Sequence, residues 1–443
     1  MLKFILHQIG NQKRQNGWIF MELFVVFIFL WLVIDPIYVL LANRAIPAGY
    51  EQKGLYYVSL NELNPSHPSF SKEAGKDSIR MNNYRHQLDL LRQMPEIESF
   101  CIAPINTVPN SGSWSGSRLY TDTVGEAKDN WVHTQRFQSV HYQSGDFFRT
   151  YGIRDERTGE VLKADDDIRK IYISAYTAQR LFGKKDVVGK QVYDGEKFCT
   201  IGGVFADVKY SDFEQPYPLQ IVLKSQIDST IPVQLWKWYY CFVLRLKAGV
   251  DEDAFLKHFR QNVIPTLAIG NSYCTGLKSF SELSRKYAYS NGVSNKLRLQ
   301  FALSGFALFC IFLGMLGTFW IRIKARRQEI GLMRSMGATN RRIIGQFLAE
   351  AWLLLTLAFI PALLVVMGYV YFNGMTAGNA FVMGHMTTYE VLNPDYWQNL
   401  AIPHFLIVSL ICYLLLCVAA LVGTLVPVRT TAKTLPAEAL RDE

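Results

Sequence analysis

The sequence predicts an α-helical membrane domain of four transmembrane helices that carries a large α+β extracytoplasmic domain of two lobes. Three observations point to this class. The 443 residues contain four apolar runs of 23–26 residues. Lysine and arginine crowd into three of the segments flanking those runs and are missing from a fourth. The long stretch between the first and second runs alternates strand-like and helix-like segments of ordinary polarity.

The runs are residues 18–41, 299–321, 347–372 and 405–428. At 1.5 Å per residue, about 20 helical residues cross a hydrocarbon core of roughly 30 Å, so each run is long enough. The second and fourth carry no charge at all, and uncharged runs of this length are rare in soluble folds. The first run is longer than the roughly 7–15 apolar residues of a signal peptide, so it is expected to stay as a span. Ahead of it, Leu2, Ile5, Leu6 and Ile9 recur at helical spacing, which predicts an amphipathic helix over 1–17 lying on the lipid bilayer.

Orientation follows from the cations beside the spans. Residues 1–17, 322–346 and 429–443 hold 13 lysines and arginines, among them Arg322, Arg326, Arg334, Arg341 and Arg342, while 373–400 holds none. Both termini and the 322–346 segment are therefore expected in the cytoplasm. Residues 42–298 and the 373–404 loop are expected on the far side, in a bacterial inner membrane. The net charge of +9 is then a consequence of topology and implies no nucleic-acid partner.

In the outer domain, 55–60, 97–105, 171–174, 198–208, 219–223 and 239–246 are rich in β-branched and aromatic residues and predict strands. Residues 78–93, 175–182 and 250–263 predict helices, the second stopped by Gly183. Loops at 104–116 and 210–218 divide an inserted lobe, 106–216, from a lobe made of 44–105 and 217–290. His133 and His141 show no metal-ligand pattern, and 183–190 lacks the spacing of a phosphate-binding loop. No catalytic or metal cluster is expected. Cys101, Cys199, Cys241 and Cys274 are either disulfide-bonded or buried free thiols.

The most informative stretch is cytoplasmic. A basic stalk leads into a short helix carrying Glu329, Ile330, Gly331, Met333, Arg334 and Met336; Gly337 can stop it, and Thr339 can cap the next helix. The result is a rigid charged knuckle suited to docking. Ile330 and Met333 are expected to fill an apolar notch on a partner, with Glu329 and Arg334 at its rim and Gly337 aiming the helix. Three acids lie in the spans: Glu22, Asp35 and Glu350. They sit at different depths and read as structural pairs, Glu22 with a snorkelling cation and Glu350 with Arg341 or Arg342. Cys310, Gly314 and Thr318 recur every four residues and allow close helix packing, against the chain's own spans or a second copy.

Residues 327–338, with Arg341, Ile344, Phe347 and Glu350, resemble the cytoplasmic coupling segment of MacB/FtsX-type ABC transporter permeases. The tail 427–433 with 436–441 resembles that family's closing motif. Gly145-Asp146-Phe147-Phe148, Ile173-Ser174, Leu181-Phe182-Gly183, Gly189-Lys190 and 203–208 resemble its extracytoplasmic domain. The resemblance implies a dimer, with a second permease copy or a paralogue, coupled to a cytoplasmic ABC ATPase subunit. It also implies a periplasmic adaptor and an outer-membrane channel as further partners. No GxxxxGK[ST] occurs in the 443 residues, so this chain is not expected to be an enzyme and needs no cofactor of its own; ATP and Mg belong on the partner. The implied function is mechanical coupling of ATP hydrolysis to the outer domain for efflux or extrusion of an envelope substrate. The competing class is a membrane-anchored regulator or sensor of a periplasmic partner such as a cell-wall hydrolase.

Overall fold

The computed structural model describes residues 13–105, 108–112, 115–123, 131–140, 147–165, 167, 169–224, 240–376, 396 and 399–431. The N-terminal amphipathic stretch up to residue 12, His141, Gly145, Asp146, most of the 373–404 loop and the closing motif beyond residue 431 lie outside them.

The chain runs α1 (Lys13–Ala45), β1 (Leu55–Glu62), α2 (Asp77–Arg92), β2 (Ile97–Pro104), β3 (Gly116–Tyr120), β4 (Trp131–Val140) and α3 (Phe147–Tyr151). It continues with β5 (Lys170–Ser174), α4 (Ala175–Phe182), β6 (Gln191–Tyr193), β7 (Phe198–Phe205), β8 (Leu219–Lys224), β9 (Tyr240–Leu246) and α5 (Glu252–His258). Last come β10 (Ser272–Ser279), α6 (Phe280–Ser290), α7 (Val293–Ala325), α8 (Arg327–Ser335), α9 (Asn340–Asn373) and α10 (Ala401–Thr431). It divides into a membrane unit, 1–42 with 293–443, and an α+β unit, 43–292.

In the α+β unit the strands run β10-β1-β9-β2-β4-β3-β6-β7-β5-β8. The first four are antiparallel and form one lobe. Tyr84, Leu88 and Leu91 of α2 fall at i, i+4 and i+7, one helical face, and meet Phe255 of α5 and Phe242 and Leu244 of β9 in its core. The other six strands close on themselves, because β8 pairs with β5 antiparallel and with β4 in parallel. Ile171, Ile173, Val192 and Ile201 fill that lobe beside Ala175 and Ala178 of α4. β8 therefore belongs to the inserted lobe, which extends to Lys224 instead of ending at 216; the non-local pairing with β4 overrides the proline-rich loop as a boundary.

Local signals fix the helix ends. Ser174 caps α4 and Gly183 ends it at φ 68; Asp251 caps α5 and Ser279 caps α6. The helix expected over 250–263 starts at Glu252 and runs through a wider π turn at Phe259–Val263 to Thr266. Cys101, Cys199, Cys241 and Cys274 are buried and form no disulfide among the described residues.

In the membrane unit α1, α7, α9 and α10 each carry a window long and apolar enough to span a bilayer. The α1 window is 61% buried, against 22–28% for the others, so α1 is the most enclosed span, with Trp18, Met21, Val25 and Phe29 left exposed along one side. Trp31 of α1 donates its indole N–H to Ser409 of α10 at 3.1 Å, which satisfies a polar group that the apolar interior would penalise.

Candidate functional site

The membrane unit concentrates its polar chemistry at the elbow between α7 and α9 and where the other ends of α1, α9 and α10 meet.

At the elbow α8 ends in a Schellman arrangement. Gly337 N–H donates to the Arg334 carbonyl and Ala338 N–H to the Met333 carbonyl, both at 2.9 Å, and Gly337 takes φ 88. A side chain at that φ costs energy that glycine avoids. Thr339 then accepts from Arg342 N–H and opens α9. The stop at Gly337 and the cap at Thr339 fix the turn from α8 into α9.

Which face α8 presents differs from expectation. Ile330 is only 3% exposed, and it packs with partly buried Met333 into the core of the membrane unit. Gly331 is buried too. Leu332 and Met336, 57% and 72% exposed, lie four residues apart on the opposite side of the helix. Ile330 and Met333 thus anchor α8 to its own bundle, and the free apolar pair is Leu332 and Met336. Arg334 is half-buried.

Glu350, about three turns into α9, is buried and pairs with Arg322 at 2.6 Å and Arg326 at 3.4 Å. Both arginines come from the stalk at the end of α7 and are buried as well. Arg322 lies over the Phe319 ring and Arg326 over Phe347. The expected partners, Arg341 and Arg342, are exposed. They lie eight and nine residues earlier on the same helix, about 12–14 Å along its axis, beyond side-chain reach. The triad ties α7, the approach to α8 and α9 into one rigid junction.

Toward the other end, Asp35 of α1 is buried, with one oxygen 2.7 Å from His404 Nε2 of α10 and the other accepting Thr376 N–H at 3.0 Å. The Asp35 pairing joins α1, α10 and the residues following α9. His404 was missed in the sequence because it stands alone, one residue ahead of the last apolar run. The available signal was a histidine at the edge of a span, in a chain whose first span carries an acid near its end.

Glu22 has no cation partner among the described side chains. It packs on Gly314 of α7 so closely that a Cβ added there would sit 2.0 Å from its Oε1. Gly314 thus serves packing against the chain's own first span, while Cys310 and Thr318 stay half-buried. A second close approach was not foreseen: a Cβ on Gly423 of α10 would come 2.8 Å from the Phe312 carbonyl of α7. Among the described residues no cluster of three metal-ligating side chains occurs.

Residues 301–436, from α7 through the α8 elbow to the end of α10, match the family described as FtsX-like permease C-terminal. The chain is similar to permeases of the MacB/FtsX type. The permease is 28% identical over 257 residues to the macrolide export ATP-binding/permease protein MacB of Salmonella paratyphi A, a match covering 53% of this chain and 38% of that protein. Against MacB 1 of Yersinia pestis bv. Antiqua it is 24% identical over 221 residues, covering 48% and 32%. The permease thus spans well under half the length of these relatives. Among solved structures, the periplasmic region of MacB from Actinobacillus actinomycetemcomitans aligns with 52% of this chain and 90% of its own length, at 11% identity and a TM-score of 0.30. The permease is a multi-pass inner-membrane protein with a large α+β domain between its first two spans.

Proposed function

We propose that this permease couples ATP hydrolysis by a separate cytoplasmic ABC ATPase to movement of its outer domain, for efflux or extrusion of an envelope substrate. ATP and magnesium belong to that ATPase. The permease works as a dimer with a second copy or a paralogue, and its outer domain meets a periplasmic adaptor leading to an outer-membrane channel. Both termini and the α8 elbow face the cytoplasm, as the cation distribution favours.

The observation that carries this reading is α8: anchored through Ile330, aimed by Gly337, and backed by the Glu350 junction, with Leu332 and Met336 left exposed beside Arg334. An exposed apolar pair on a rigid helix is a docking element. A force applied to α8 passes into α7 and α9 together, because the Arg322–Glu350–Arg326 triad prevents either from yielding alone. Purification in mild detergent tests the proposal. An ABC ATPase that co-purifies, and whose ATP turnover responds to the permease, is the expected result. Recovery of a periplasmic hydrolase or a sensor kinase with no ATPase would overturn it in favour of a regulator.

A further inference from the structure

One short loop of the α+β unit grips the chain on both of its sides nearest the spans. α1 ends at Ala45, and the last carbonyls of a helix lack intrahelical donors. Two carbonyls here, those of Asn43 and Ile46, accept from the ammonium of Lys209 at 2.7 and 3.1 Å. The third proton of Lys209 Nζ goes to the Asp212 carbonyl at 2.9 Å, so all three donors are used. The side chain is buried. Its position at a helix C-terminus, the negative end of the dipole, offsets the cost of burying a charge.

The grip is reciprocal. Lys209 N–H donates to the Ala48 carbonyl at 2.9 Å, and Asn43 Nδ2 donates to the Phe213 carbonyl at 3.1 Å. Gly49, at φ +77, lies so close to the loop that an added Cβ would be 2.0 Å from the Asp207 carbonyl oxygen. On the other side Asp212 accepts from Ser284 of α6 through one oxygen and from Gln52 through the other, the latter at 3.0 Å. Only Asn291 and Gly292 separate α6 from α7. The loop at 207–214 hangs from β7 and leads into β8, two strands of the closed lobe.

We propose that Lys209 is the positioning residue of a mechanical clasp, in which the 207–214 loop fixes the exit of span 1 through Lys209 and the entry to span 2 through Asp212 and Ser284. A displacement of those two spans then reaches the inserted lobe directly. Without the clasp the connecting residues, Gly49 and Gly292 among them, would absorb it. The clasp rests on the proposal of an ATP-driven permease.

The test uses the full chain with its ATPase in nanodiscs and reads hydrogen exchange across β5–β8 with and without ATP plus vanadate. The wild type should show a nucleotide-dependent change there. Lys209→Met should lose that change while ATP turnover persists, and Lys209→Arg, which keeps charge and donors, should restore it. A Lys209→Met response equal to wild type, or no restoration by Lys209→Arg, overturns the clasp. Should Lys209→Met fail to fold, Ser284→Ala removes one hydroxyl from the second arm and decides: a weakened response supports the clasp, an unchanged one overturns it. A wild type that binds no ATPase, or shows no nucleotide response, overturns the underlying function and the clasp with it, so the two failures are told apart in the wild type.

Discussion

Glu350 of α9 reaches across to Arg322 of α7 at 2.6 Å, with both groups buried in the membrane unit. The two residues are 28 positions apart, and the α8 elbow is the chain between them. The pair therefore closes the elbow as a ring, and Arg326 reinforces it from within. Removing one member of a buried pair strands the others, at about 3–5 kcal/mol. Glu350→Ala should lower the Tm of the purified permease substantially. A triple change of Arg322, Arg326 and Glu350 to Met should be closer to wild type, because no uncompensated charge remains. Equal Tm values for wild type and Glu350→Ala would refute the junction.

The two faces of α8 should separate by phenotype. Met336→Asp, on the exposed face, should weaken ATPase association by about 2 kcal/mol or more while leaving Tm near wild type. Ile330→Asp should instead destabilise the bundle, since it buries a carboxylate with no partner. Pull-down and thermal unfolding of each variant distinguish the cases. If Met336→Asp binds the ATPase normally, the docking face is misassigned.

Hydropathy alone locates the spans, because crossing a bilayer is a one-dimensional demand on the sequence. Helix stops and one cap were equally legible: Gly183, Gly337 and Thr339 act within a few residues of themselves. What was hidden is long-range. α8 has two apolar edges, Ile330 with Met333 and Leu332 with Met336, and only the neighbouring spans decide which is buried. Glu350 had arginines nearby in sequence, yet its partners come from another helix. His404, the β8 assignment and the Lys209 clasp depend in the same way on pairings tens to hundreds of residues apart.

Gly314 should tolerate no larger residue. Gly314→Val would drive two methyls into the Glu22 carboxylate, and overpacking a close helix contact costs about 1–3 kcal/mol. Gly317, with nothing within 4 Å of an added Cβ, serves as the matched control. A Tm loss in Gly314→Val but not in Gly317→Val is the expected outcome; equal losses would show that helix propensity, not the Glu22 contact, is at issue.

Sidedness is tested by cysteine labelling. Glu160 and Ser335 are both exposed. A cysteine at 160 should react with a membrane-impermeant maleimide in cells whose outer membrane alone is opened, and one at 335 only after the inner membrane is breached. Reaction at 335 in the first condition would reverse the topology inferred from the flanking cations.

The stability of the permease should depend on pH through the Lys209 neighbourhood. Glu214 is buried, its Oε1 has no hydrogen-bond partner among the described residues, and burial pushes its carboxyl up to about 8, opposed only by Lys209. Burial pushes the Lys209 ammonium down to about 8, opposed by Asp212 and Glu214. Tyr210 and Tyr287 pack together beside them, and burial raises the Tyr287 phenol, so it stays neutral. From the ordinary carboxyl value of 4.5 up to about 8, folded Glu214 holds a proton that the unfolded chain has released, so stability falls as pH rises. Asp207, also raised by burial, adds in the same sense. From about 8 to 10.5 the unfolded chain holds the proton that folded Lys209 has released, so stability rises again. The Tm of the full chain in detergent should therefore pass through a minimum near pH 8. Glu214→Gln, neutral at every pH, should flatten the falling limb, raising Tm relative to wild type near pH 8 and matching it near pH 4.5. If the fall from pH 4.5 to 8 is as steep in Glu214→Gln as in wild type, Glu214 is not the group responsible.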